Sequence, residues 1–89
     1  MTATANLHSL PCVDARHLHC PQPLLMASRA LRALPKGAAL IVRGTDKAAP
    51  RDIQAWATSQ GHRLEILHPP SPLGERGVEW LLRLTKGGP

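Results

Sequence analysis

The apolar residues fall into short runs with two different periods. Leu10 to Ala15 is short and apolar enough for a β-strand. Next, Leu24, Ala27, Leu31 and Leu34 recur at i, i+3, i+7 and i+10, one face of a helix, with Arg29 and Arg32 towards the other face. Pro35-Lys36-Gly37 ends that helix. Ala39 to Arg43 reads as a buried strand. Lys47 to Gln60 reads as a second helix, with Ile53, Trp56 and Ala57 on one face and Gly61 as its stop. Its start has two readings: Pro50 suits a first-turn position, whereas Asp46 suits an N-cap further upstream. Arg63 to Leu67 is a third strand. His68 to Gly77 carries three prolines and two glycines and reads as a loop. From Val78 to Lys86 the chain alternates, Val78, Trp80, Leu82 and Leu84 against Glu79, Leu81, Arg83 and Thr85, as a strand with one buried face does.

The order β-α-β-α-β-β predicts a two-layer α/β sandwich, with two helices on one face of a four-stranded mixed sheet. A helix joins the first two strands, which are therefore expected to be parallel with a right-handed crossover. Residues 1–9 are expected to form a flexible tail, 10–86 a single domain and 87–89 a frayed end.

Composition narrows the class. A chain of 89 residues has room for one small core. Its 43% hydrophobic and 19% charged residues are globular usage rather than that of a disordered chain. The balance of 11 basic and 6 acidic residues, net +5, favours anionic partners. Trp56 and Trp80 are the sole aromatic residues, which argues against a module that stacks nucleic-acid bases. No apolar run approaches the roughly 18 residues of a membrane span. Met1 to Ser9 has neither the basic start nor the apolar stretch of a signal peptide. Two cysteines are too few for a disulfide scaffold, so the expectation is a cytoplasmic protein with reduced thiols.

The candidate chemistry lies at Cys20-Pro21-Gln22-Pro23. With Cys20 as N-cap, Pro21 and Pro23 fall at the first and third helical positions, and neither has an N–H. Gln22 N–H is then the donor aimed where a cap side chain would bind. A thiolate at a helix N-terminus is stabilised by the helix dipole. Such a site lowers a cysteine pKa from about 8.5 towards about 3.5–7.5. His17, His19 and Arg16 would add positive charge. The bland alternative is that Pro21 is a common helix starter and Cys20 a small buried hydrophobe.

The segment from Val13 to Leu25 resembles the signature of the TusA/SirA-like sulfur-carrier family: a hydrophobic residue, Asp, two residues, Gly, Leu, one residue, then Cys-Pro-x-Pro. Lys36-Gly37, Thr45-Asp46, Arg51-Asp52-Ile53 and Gly61-His62 also stand where that family has them, so the resemblance covers about residues 10–87. His17 departs from it, standing where the family usually has Gly. A His at positive φ is uncommon yet among the better tolerated residues. The Pro-rich loop from His68 to Pro72 is a second departure.

The resemblance implies the same sandwich fold and a carrier role. Cys20 would take sulfane sulfur as a persulfide from a cysteine desulfurase or rhodanese-like donor protein. It would then pass the sulfur to an acceptor in tRNA thiolation, molybdenum-cofactor sulfuration or sulfur oxidation. That is a shuttle rather than an enzyme with its own turnover, and it needs no cofactor. Pro21, Gln22, Pro23 and His19 would support the thiolate. Asp14, Asp46 and Arg29 would serve partner contact or loop geometry. A free Cys20 face implies a monomer.

Further readings stand beside this. Cys12 is expected in the core rather than as a partner for Cys20, because the chain between them would have to bend sharply to bring the two thiols together. His17, His19 and Cys20, with His8 or Cys12, could form a soft-metal site. Zinc sites usually draw ligand pairs from two places, however, and no metal is assigned. Lys86-Gly87-Gly88-Pro89 looks like the tail of a ubiquitin-like carrier, but Pro89 blocks the terminal Gly carboxylate. Trp56 and Trp80 are expected in the core. The rival functions are a regulatory or binding module with a basic surface, and a His/Cys metal-binding protein.

Overall fold

Alternation along each strand decides which layer a residue meets. The computed structural model describes residues 10–69 and 79–87. The elements are β1 (Cys12–Ala15), α1 (Gln22–Arg32), β2 (Ala39–Gly44), α2 (Ala49–Gln60), β3 (Arg63–His68) and β4 (Trp80–Thr85). The sheet order is β1-β2-β4-β3, with β1 parallel to β2 and the other two pairs antiparallel. This is the expected β-α-β-α-β-β sandwich. The expected tail at 1–9, most of the proline-rich loop and residues 88–89 lie outside the described residues.

Trp80, Leu82 and Leu84 are fully buried and alternate with half-buried residues, so the period of two holds along β4. Leu40 and Val42 of β2 and Val13 of β1 meet the same core. From the helices come Ala27 and Leu31 of α1, and Ala49, Ile53 and Ala57 of α2. Leu24, Leu34 and Trp56 pack against it, half-buried. Burial of each large apolar side chain contributes about 1.5–3 kcal/mol.

Cys12 is a correction. It is exposed, because Val13 and Ala15 take the buried side of β1 and a strand turns successive residues to opposite faces. Its neighbour in register is Ile41. The same face carries the Arg43–Glu79 and Arg83–Glu65 ion pairs.

The element ends have local causes. β1 starts at Cys12 rather than Leu10: Pro11 has no N–H to give the ladder, though its carbonyl accepts from Ile41 N–H at 2.8 Å. α2 starts at Ala49, two residues later than predicted, with Pro50 in its first turn. Asp46 explains the delay: its side chain accepts Ala48 N–H at 3.0 Å and its carbonyl accepts Ala49 N–H at 3.1 Å, closing a turn first. Gly61 ends α2 in the left-handed region at φ 78°. At the end of α1, Lys86 Nζ donates to the carbonyls of Arg32 and Leu34 at 3.1 and 2.7 Å. A cation there also complements the helix dipole.

Candidate functional site

The parallel pairing of β1 and β2 puts both carboxyl ends at one edge of the sheet. Each strand is followed there by a loop and a helix start. The loop after β1 carries His17, His19 and Cys20, and the loop after β2 carries Thr45 and Asp46. Two hydrogen bonds join them: His17 N–H to Thr45 Oγ1 at 2.9 Å, and Cys20 N–H to Asp46 Oδ2 at 2.9 Å. His17 has φ 67°, the left-handed conformation that a family Gly would adopt freely.

Cys20 is exposed and carries a free thiol. Its Sγ donates to Asp52 Oδ2 at 2.7 Å. Asp52 lies in the first turn of α2, where the helix N-terminus favours a carboxylate. The hydrogen bond to Asp52 is the main cause that raises the Cys20 pKa above its ordinary value, followed by desolvation and the charges of Asp52 and Asp46. Both carboxylates oppose a thiolate.

Two expectations are therefore corrected. Cys20 is not the N-cap of α1. That place is held by Pro21 at φ −97°, ψ 11°, and Pro23 occupies the second helical position, buried. Gln22 N–H, expected to face the thiolate, donates instead to the His19 carbonyl at 2.9 Å, because the loop closes a backbone turn on itself. Nor does the surrounding charge lower the thiol pKa. Arg16 is fixed on Asp14, Nε to Oδ1 at 2.9 Å and Nη2 to Oδ2 at 2.7 Å. That pair holds the Asp14 carboxyl well below the usual carboxylate range, and Asp14 bonds within its own loop rather than to Cys20. The charge of His19 acts on Asp46. Arg29 is exposed on α1.

Asp52 stood in the sequence signature but was not placed at the site. The signal was present: parallel strands bring the starts of both following helices to one sheet edge. Among the described residues, no three of His, Cys, Asp and Glu gather as a metal-binding group, so His17, His19 and Cys20 do not converge as one.

Asp46 is the hub of this edge. Besides Cys20 N–H and Ala48 N–H on its carboxylate, its carbonyl accepts the Trp80 indole N–H at 2.8 Å. The N–H groups of Ala48 and Cys20 lower the Asp46 pKa from the ordinary value. The folded value lies below the unfolded one, near 3.9. The ionised form therefore stabilises the fold above about pH 4, and that contribution is lost as pH falls through the lower folded value. Asp46→Asn should accordingly flatten the acid side of the stability profile, read as urea midpoints from neutral pH to about pH 3. Parallel profiles in the two proteins would contradict this role.

The sheet and its two helices define a small α/β domain that holds an exposed thiol, Cys20, at the carboxyl ends of its parallel strands. The fold matches the crystal structure of a SirA-like protein from Desulfitobacterium hafniense. The TM-score is 0.71, the match covers 88% of this chain and 99% of that one, and 23% of residues are identical. The chain belongs to the TusA family, whose model, described as Sulfurtransferase TusA, matches residues 12–72. YrkF of Bacillus subtilis (strain 168) is 38% identical over 78 residues, which are 85% of this chain and 38% of YrkF. The sulfur carrier protein TusA of Pseudomonas syringae pv. syringae (strain B728a) is 40% identical over 52 residues, 58% of this chain and 62% of that protein. No helix among the described residues is long and apolar enough to cross a membrane.

Proposed function

We propose that this chain is a sulfur carrier that takes sulfane sulfur on Cys20 as a persulfide and gives it to a protein acceptor. The observation that carries the reading is the exposed Cys20 thiol at the sheet edge of a TusA-family domain. A shuttle must be reached by donor and acceptor in turn, and an exposed sulfur on a rim meets that need. The name of the Pseudomonas relative supports the same role. The donor is a persulfide-bearing protein of the cysteine-desulfurase or rhodanese-like kind. The acceptor serves thiolation of tRNA, sulfuration of a cofactor or oxidation of sulfur.

The solvent side of α1 supports a docking role. Gln22, Leu25, Arg29 and Arg32 are all exposed, and their spacing puts them in one stripe that starts beside Cys20. Arg29→Glu should slow sulfur uptake from a donor protein by about tenfold at low salt, with the gap to wild type shrinking as salt rises. Equal uptake rates at low salt would remove Arg29 from the docking surface.

The test of the carrier itself is intact mass spectrometry after incubation with a cysteine desulfurase and cysteine. Wild type and Cys12→Ser should each gain one sulfur atom, removable by a reducing thiol and located on Cys20 by peptide mapping. No gain from several donors, with Cys20 still open to alkylation, would overturn the reading.

A further inference from the structure

Among the described residues, Asp52 is the group bonded to the Cys20 side chain. Its place is fixed by the fold, since the adjacent Ile53 is fully buried in the core. Uptake of sulfur changes what this carboxylate meets. In the empty protein, Sγ–H donates to Asp52, a favourable pairing with an ionised acceptor. In the loaded protein, Sγ is bonded to a second sulfur and has no proton to donate. A hydropersulfide is also a stronger acid than its parent thiol, so the outer sulfur carries negative charge near neutral pH. Attraction is thereby exchanged for repulsion from Asp52, and from Asp46 behind it. His19 and Lys47 act on Asp46, while the groups acting directly on the Cys20 thiol are the two carboxylates.

We infer that Asp52 biases Cys20 towards its empty thiol form, so that the chain holds sulfur weakly and passes it on rather than storing it. The inference rests on the carrier reading and adds to it the residue that sets the loading equilibrium. In loading, Cys20 Sγ attacks the outer sulfur of a donor R–S–S–H. The new Sγ–S bond forms as the donor S–S bond breaks, and that electron pair leaves on the donor sulfur. The proton lost from Sγ ends on that sulfur, giving Cys20–S–S–H and R–S–H with no net oxidation. Unloading is the same exchange with an acceptor thiol. Asp52 stabilises the one species that carries an Sγ–H.

The test is an equilibrium. Cys12→Ser protein, with and without Asp52→Asn, is brought to balance with glutathione hydropersulfide and glutathione near neutral pH, and loaded and empty forms are counted by intact mass. The loaded-to-empty ratio should rise about tenfold in Asp52→Asn, since an amide neither repels the persulfide nor favours the thiol as an anion does. An unchanged or lower ratio overturns the inference. Should Asp52→Asn fail to fold, the Asp52-containing protein still decides. The pH dependence of Cys20 alkylation should lie above that of the same protein unfolded in urea, and a profile below it overturns the inference. A wild-type protein that takes up no sulfur overturns the carrier reading and this inference together. Normal loading with a ratio insensitive to Asp52 overturns this inference alone.

Discussion

Cys20→Ser is expected to abolish sulfur loading, at least ~1,000-fold below wild type in rate, with the fold intact. The side chain is exposed, so no core contact depends on sulfur. A serine hydroxyl can still donate to Asp52, as Sγ does at 2.7 Å, and Cys20 N–H, bonded to Asp46 at 2.9 Å, is untouched. What disappears is the nucleophile: exchange at sulfur runs through a thiolate, and a hydroxyl offers no equivalent at neutral pH. Cys12→Ser keeps full loading, because Cys12 lies on the exposed face of β1 and forms no disulfide. The check is the gain of one sulfur atom in intact mass, together with the urea midpoint. Residual loading of Cys20→Ser above a tenth of wild type would move the reactive sulfur elsewhere.

Gly44→Ala is expected to destabilise the fold strongly. A Cβ at Gly44 would overlap the Trp80 indole, which is fully buried and cannot retreat into solvent. Gly44 pairs with Trp80 across β2 and β4, so the ladder fixes their approach. Overpacking of this kind costs about 1–3 kcal/mol. Any tilt of the indole also strains its N–H bond to the Asp46 carbonyl, 2.8 Å, worth about 1 kcal/mol net. A domain of this size should lose on the order of 5–20 °C in Tm. Trp80→Phe removes the overlapping ring, so the double variant Gly44→Ala/Trp80→Phe should be more stable than the sum of the two single losses predicts. Since Asp46 also holds Cys20 N–H, Gly44→Ala should change the rate of Cys20 alkylation too. A loss below about 0.5 kcal/mol with unchanged alkylation would contradict the contact.

These two positions differ in how far the sequence announces them. Cys20 is legible as a candidate from its motif, because Cys-Pro-x-Pro stands just before a helical stripe. Gly44 is not, since nothing local requires a glycine at the end of β2. Only the pairing with β4 brings an indole against it. The helix faces were readable for a simple reason: Ala27 with Leu31, and Ile53 with Ala57, repeat at the helical period set by neighbouring backbone geometry. β4 was readable from its period of two. β1 was not, because in so short an apolar segment either parity could face the helices, and Cys12 took the outer one.

The sequence by itself therefore determined the order of the elements, the parallel pairing expected of β1 and β2, most of the core and the candidate cysteine. All of these follow from short-range periodicity and from the types of residue present. Tertiary structure alone decided the electrostatic setting of that cysteine. A position at a helix start would by itself depress the pKa. Closure of the sheet instead brings Asp52, 32 residues along the chain, to the thiol and raises it. The physical reason is range: a helix dipole is a local property that spacing can foresee, whereas a carboxylate from a second helix reaches Cys20 only when two parallel strands end at the same edge.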